Sequence, residues 1–233
     1  MSSFIQRKGD LAAFAISVLR TPGQRRYLAK WVASKRNGYL LRKPMPWMTF
    51  DAIDFIARHL RNGCKIFEYG SGGSTLFWMK WEPELISIEH DEAWYAMMAQ
   101  KLQARSGVQY ALVSAEKREA TGMADASDPN KFASGDETYR GYSFESYVRQ
   151  IEKFPDRYFD LVVVDGRARP SCLRWSAPKV KPGGLLVLDN AERAYYTERT
   201  KEFLVDYRVR DFRGIGPCNN YVWQTNIYER VSG

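Results

Sequence analysis

The 233 residues are 45% apolar and 14% aromatic, enough for one sizeable core and incompatible with collagen, low-complexity disorder or a disulfide-stapled miniprotein. Three cysteines (Cys64, Cys172 and Cys218) without a CxxC spacing indicate neither a zinc site nor a disulfide framework. The formal charge of +8 is concentrated in residues 1–47, which hold ten Lys/Arg (Arg7, Lys8, Arg20, Arg25, Arg26, Lys30, Lys35, Arg36, Arg42, Lys43) against one acid, Asp10. The rest of the chain is nearly neutral.

The longest apolar stretch, Leu11 to Leu19, has nine residues including Ser17, short of the ~20 that a membrane-spanning helix needs. Arg20-Thr21-Pro22-Gly23 follows it without a small-residue cleavage pattern, so a cytoplasmic protein is expected. Residues 9–19 and 24–36 read as two helices split by Thr21-Pro22-Gly23. After Lys43-Pro44-Met45-Pro46, Thr49 is placed to cap a helix with Ala52, Ile53, Phe55, Ile56 and Leu60 at helical spacing. Lys65 to Tyr69 is a short strand running into Gly70-Ser71-Gly72-Gly73-Ser74, with a helical stretch from Thr75 to Lys80. Leu85 to Ile88 is a second strand, residues 92–104 a helix, and Val108 to Val113 a third strand.

Residues 115–141 are polar and aperiodic, which predicts a long insertion that is mobile or forms a lid. Tyr142 to Phe154 reads as a helix, as does Arg174 to Val180, the latter closed by Lys181-Pro182-Gly183-Gly184. Asp160 to Asp165 and Leu185 to Asn190 are apolar runs ending in acids, the pattern of strands buried on both faces. Val205 to Phe212 and Tyr221 to Tyr228 alternate around Gly214-Ile215-Gly216-Pro217, an antiparallel pair. The sum is an α/β chain: a Rossmann-like, doubly wound, seven-stranded sheet, mostly parallel with a C-terminal antiparallel hairpin, plus N-terminal helices. Residues 1–47 form a basic helical arm or cap and residues 48–233 the domain.

Ligands of such sheets lie beyond the carboxyl ends of the strands. Glycines at 70 and 72 let the backbone approach a ligand, but Thr75 stands where a pyrophosphate loop has its third glycine, and no Gly-Lys-Ser/Thr follows to make a P-loop. Glu89 ends the second strand, 19 residues after Gly70, the spacing at which a carboxylate takes ribose hydroxyls. The run Phe67-Glu68-Tyr69-Gly70-Ser71-Gly72-Gly73-Ser74, with Ile88-Glu89, Asp165 and Lys181-Pro182-Gly183-Gly184, resembles the class I S-adenosylmethionine-dependent methyltransferases over about residues 64–230. The resemblance implies that Glu68, Gly70 and Gly72 line the methionine end of the cofactor, with Ser71, Ser74 and Asp165 beside it. It implies further that Glu89 holds the ribose and His90 the adenine, with Ser114 or Glu116 on the far side.

Asp165, Asp189 and Asn190 are hard ligands that suit Mg²⁺ or Ca²⁺. Their order is similar to that of metal-dependent O-methyltransferases of the catechol and caffeoyl-CoA type, which implies a metal that activates an acceptor hydroxyl. The lysine that follows the first ligand in the catechol type is absent: Asp165 is followed by Gly166-Arg167-Ala168-Arg169-Pro170. Arg167 and Arg169 suit a carboxylate or phosphate on the substrate. Without a metal, Asp165 is the general base, provided burial raises its pKa. Asp165 and Arg167 are thus the catalytic candidates.

Residues 68–75 and 164–169 are also similar to polysaccharide O-methyltransferases. Arg193, Tyr195 and Tyr196 either wall the acceptor pocket or begin a surface helix. Trp47 either reaches over the site or plugs the core, and His59 is expected to be packed or solvated and not catalytic. The reading is a methyltransferase acting on a hydroxyl of a small molecule or glycan. An RNA methyltransferase is the competing enzyme, disfavoured by the lack of an Asn/Asp-Pro-Pro-Tyr segment, and a non-catalytic S-adenosylmethionine-binding subunit is the non-enzymatic alternative. For the basic arm, a simple cap, an anionic membrane surface and an anionic substrate stay open; a homodimer is compatible with all of them.

Overall fold

The computed structural model describes residues 8–103, 105–118 and 124–231; Arg7 of the basic arm and residues 119–123 of the insertion lie outside them. Its strands are β1 (Lys65–Tyr69), β2 (Glu84–Glu89), β3 (Val108–Leu112), β4 (Glu116–Lys117), β5 (Tyr142–Ser143), β6 (Phe159–Val164), β7 (Val180–Asp189), β8 (Tyr207–Gly214) and β9 (Trp223–Arg230). Seven of these form one sheet in the order β3-β2-β1-β6-β7-β9-β8, parallel except at β9, which runs antiparallel to both neighbours. The order reverses direction between β1 and β6, so a crevice opens there at the carboxyl edge. The helices are α1 (Lys8–Arg20), α2 (Leu28–Ser34), α3 (Tyr39–Arg42), α4 (Phe50–His59), α5 (Gly73–Trp78), α6 (Glu92–Leu102), α7 (Glu145–Val148), α8 (Arg169–Ser176) and α9 (Ala194–Thr197).

Alternation along the central strands divides the core in two. Phe67, Tyr69, Val162, Val164, Leu186 and Leu188 face one layer, with α7 and α8. Ile66, Leu161, Val163, Leu185 and Val187 face the other, against α4 and the arm residues Val18, Tyr27 and Trp31. Apolar residues at both parities bury both faces of these strands, which is why the apolar runs were legible as strands.

Part of the arm's charge is answered within the chain. Arg26 and Lys30 pair with Asp51 and Asp54 of α4, and the Tyr27 hydroxyl donates to the same two acids at 2.8 and 2.7 Å. Trp31 Nε1 donates to the Asn219 carbonyl at 2.6 Å and Lys35 Nζ to the Cys218 carbonyl at 2.7 Å. Among the described residues no helix is long and apolar enough to cross a membrane.

Several local expectations are corrected. Residues 142–154 are not one helix: Ser143 pairs with Glu116, α7 lasts one turn, and residues Arg149–Lys153 continue as a 3₁₀ turn. The Tyr69 hydroxyl takes the Val148 carbonyl at 2.7 Å, a competitor for the helical bond. The helix expected at 174–180 begins five residues earlier, at Arg169, with Pro170 in its first turn, and passes at Ala177 into a 3₁₀ turn containing Pro178. Lys181-Pro182-Gly183-Gly184 does not end a helix; it bulges out of β7, whose register jumps from Val180 opposite Phe159 to Leu185 opposite Leu161. Thr49 precedes α4, but its hydroxyl donates to the Phe212 carbonyl at 3.2 Å instead of capping. In the insertion, Phe132 and Ala133 are buried and Glu137–Tyr139 forms a 3₁₀ turn.

Candidate active site

The end of β1 bends at Gly70, whose φ of +88° lies in the left-handed region. A Cβ there would stand 3.1 Å from the Asp165 carbonyl and from Gly166, so a side chain would push the first and fourth parallel strand ends apart. Glu68 is fully buried beneath this loop and does not line the cleft above it. Its carboxylate accepts from Thr75 Oγ1 at 2.6 Å, Ser87 Oγ at 2.8 Å and Trp78 Nε1 at 2.9 Å. Burial pushes its pKa up and these donors pull it down. Glu68 therefore positions the loop and α5, a correction to its expected place at the methionine end.

Glu89, at the end of β2, is 3% exposed and its carboxylate is richly supplied with donors. Oε2 accepts the Ser71 amide at 3.0 Å and the Ser71 hydroxyl at 2.9 Å. Oε1 accepts the amides of His90 at 2.7 Å and Asp91 at 3.0 Å. Burial opposes ionisation, but His90 and the backbone amides win and hold the group down at about 2. His90 Nε2 receives Arg167 Nε at 3.2 Å. Because arginine only donates, Nε2 is the unprotonated ring nitrogen and Nδ1 carries the proton. Nδ1 sits 2.8 Å from Glu89 Oε1, off line for a well-formed hydrogen bond but close enough for its N–H dipole to favour the carboxylate.

Asp165, just past β6, opens on the cleft with its side chain 26% exposed, and Arg169 Nη2 donates to its Oδ1 at 3.0 Å. Desolvation raises its pKa up to about 6, against the pull of Arg169. Arg169 is itself nearly buried and spreads its other donors widely. Nη1 reaches the Asp189 carbonyl and, at 3.2 Å, Asn190 Oδ1; Nε reaches the Gly166 carbonyl at 3.1 Å. The Asp189 side chain points the other way, accepting Trp223 Nε1 at 3.1 Å and Thr225 Oγ1 at 2.6 Å, and burial pushes its carboxyl up.

These residues do not fit the expected metal. Asp165, Asp189 and Asn190 are gathered around the Arg169 guanidinium, and Asp189 turns its carboxylate toward β9. Among the described residues no group of three or more His, Cys, Asp and Glu could hold a metal ion. The Arg169 guanidinium instead contacts Asp165 Oδ1, Asn190 Oδ1 and the Asp189 carbonyl.

A cleft of about 860 Å³ joins Gly70, Ser71, Gly72, Ser74, Glu89, His90, Asp165, Arg167 and Arg169. Ser114 is exposed and outside this wall, and Glu116 bonds Ser146 instead. Asp91 and Trp94 stand at that end; Trp94 Nε1 donates to the Ser71 carbonyl at 2.9 Å. The opposite rim comes from the arm: Lys35, Arg36, Tyr39 and Leu40, which sequence reasoning missed because only tertiary packing brings them there. A Cβ on Gly73 would lie 2.5 Å from the Met45 carbonyl and 2.6 Å from the Leu40 carbonyl, so the arm seats directly on α5. Trp47 is half exposed at the cleft wall and is no core plug. His59 is remote, donating Nε2 to the Gly183 carbonyl at 2.7 Å. Arg193, Tyr195 and Tyr196 line a second cavity of about 250 Å³ that shares Gly166, Arg167 and Arg169 with the first.

No known family model matches the chain, and no curated protein matches its sequence. Solved structures do match. A methyltransferase-like protein from Silicibacter pomeroyi is 23% identical, with a TM-score of 0.52 over 82% of this chain and 90% of that one. A Klebsiella pneumoniae protein described as a candidate O-methyltransferase is 14% identical, with a TM-score of 0.56 over 97% of this chain and 99% of that one. At these identities the likeness is one of fold. The chain has the Rossmann-like methyltransferase fold: a seven-stranded, mostly parallel sheet with one antiparallel hairpin and flanking helices.

Proposed function

We propose that the protein is an S-adenosylmethionine-dependent methyltransferase that acts on a hydroxyl group of a small molecule or glycan. The observation that carries the reading is the juxtaposition, in one cleft at the sheet's reversal point, of the glycine loop, Glu89 and Asp165. The residues suit this cofactor: Glu89 is an ionised acceptor at the ribose spacing, and Gly72, with nothing nearer than Trp94 at 3.8 Å to where a Cβ would stand, leaves room for close approach at the cleft wall. Ser71 Oγ now occupies Glu89 Oε2 and competes with a ribose hydroxyl for it.

The bound cofactor supplies a methyl group made electrophilic by its sulfonium. The chain's own part is positioning and proton transfer. Asp165 is the base: its carboxylate faces the cleft, and a pKa near 6 leaves it ionised at neutral pH yet more basic than an ordinary aspartate. It would accept the proton of an acceptor hydroxyl brought into the cleft, to which the cofactor would supply the methyl group. Arg169 fixes the carboxylate's orientation through Oδ1. Arg167, held between His90 and Asp136, links the adenine side of the cleft to the insertion. A screen of hydroxylated acceptors for S-adenosylhomocysteine release tests the reading: turnover lost in Asp165→Asn with cofactor binding retained supports it, and equal turnover in that variant contradicts it.

A further inference from the structure

We infer that the 250 Å³ cavity beside Asp165 is a subsite for an anionic group, carboxylate or phosphate, on the methyl acceptor, with Arg193 as its recognising cation. This rests on the methyltransferase reading and adds to it the charge of the substrate. The cavity holds three arginines, and their pairing differs. Arg167 Nη1 is 2.8 Å from Asp136 Oδ2, and Arg169 is tied to Asp165 at 3.0 Å. Arg193 has no carboxylate within 4 Å among the described residues; its Nη1 donates to the Tyr196 hydroxyl at 3.0 Å. Two of the cations are thus paired, and the third, an exposed side chain whose charge also acts on Asp165, is left without an ion-pair partner and able to take an anion.

The surroundings are built to hold that charge in place. The Tyr196 ring is buried between two guanidinium groups, Arg169 at 5.3 Å and Arg193 at 5.7 Å from its centroid. The insertion supplies the facing wall through Ser134, Gly135 and Asp136, and is pinned by Asp136 to Arg167 and by Asp125 to Arg199 at 2.7 Å. Because Gly166, Arg167 and Arg169 border both cavities, a group held at Arg193 belongs to a molecule whose hydroxyl reaches Asp165. Arg193 lies outside the cofactor cleft, so its removal separates acceptor recognition from cofactor binding.

The test uses inorganic phosphate and acetate as probes, titrated at matched ionic strength into protein loaded with S-adenosylhomocysteine, with sodium chloride as control. Backbone amide NMR shifts of residues 134–136 and 193–196 are followed. Saturable shifts confined to these residues, weakened about tenfold or more in Arg193→Ala and partly restored in Arg193→Lys, are expected. The order of phosphate and acetate identifies which anion the subsite prefers. Shifts no different from chloride, or undiminished in Arg193→Ala, overturn the inference while leaving the cofactor reading intact. Failure of the wild type to bind S-adenosylhomocysteine at all, measured by calorimetry on the same samples, counts instead against the methyltransferase reading and takes this inference with it.

Discussion

Arg169 Nη2 lies 3.0 Å from Asp165 Oδ1, and its second nitrogen bridges to Asn190 Oδ1 at 3.2 Å. One guanidinium thereby holds two of the three side chains that a divalent cation was expected to hold, and the main-chain carbonyl of the third. Turnover is accordingly expected to be the same with EDTA as with Mg²⁺. Arg169→Ala should lower kcat by about two orders of magnitude and, by leaving Asp165 without its partner, destabilise the fold by ~3 kcal/mol. Arg169→Lys should recover part of the stability but little of the rate, since one ammonium cannot span the same oxygens. EDTA-sensitive turnover restored by Mg²⁺ would show that this arrangement is not the working one.

The pH dependence follows from Asp165. Its carboxyl is raised to about 6, so the basic form is lost as pH falls through that value. kcat/KM should rise with pH and level off above about pH 7. The same shift has the opposite effect on stability. The folded state holds the proton more tightly than the unfolded chain, so Asp165's contribution falls as pH rises from its ordinary value of 3.8 to about 6. Asp165→Asn should remove that component from a series of urea unfolding curves.

Glu89 behaves in the reverse sense. Held at about 2 against an ordinary 4.5, it stabilises the fold above pH 4.5, by on the order of 3 kcal/mol, and that contribution is lost as pH falls toward 2. Glu89→Gln should lower stability at neutral pH and flatten the acid limb of the stability curve, measured by urea unfolding between pH 2 and 7.

Gly73 tests the seating of the arm. Gly73→Ala introduces a Cβ against two backbone carbonyls, at 2.5 and 2.6 Å, that no side-chain rotation relieves. The arm segment around Leu40 and Met45 must shift, at a cost of about 1–3 kcal/mol. Cofactor affinity should fall with it, because Lys35, Arg36 and Tyr39 form that rim of the cleft. Unchanged thermal stability and unchanged S-adenosylhomocysteine affinity would show that the arm is not seated there.

The sheet was legible where the signal is local. Leu161 to Val164 and Leu185 to Leu188 are apolar runs whose two parities meet two separate cores, and the last two strands alternate around a Gly/Pro turn. The start of α8 was not, because Ala168 enters it at a φ of +48° with no glycine to mark the bend; Pro170 was the one cue. That Gly70, Glu89 and Asp165 would border one cleft was legible because each sits at the carboxyl end of a strand. The partners of Arg169, the downward turn of Glu68 and the arm's place at the cleft were not. They depend on which side chains tertiary packing brings together, as with Lys35 and Cys218, 183 positions apart. Nor could the sequence show that Asp51 and Asp54 of another helix pair with Arg26 and Lys30 of the arm.

The central claim is that the cleft between the glycine loop, Glu89 and Asp165 binds S-adenosylmethionine. Calorimetric titration of S-adenosylhomocysteine into the wild type and Glu89→Ala addresses it most directly. Micromolar binding by the wild type, unaffected by EDTA, and its loss in a Glu89→Ala protein that remains folded are expected. No binding to the wild type, or equal binding to both proteins, would contradict it.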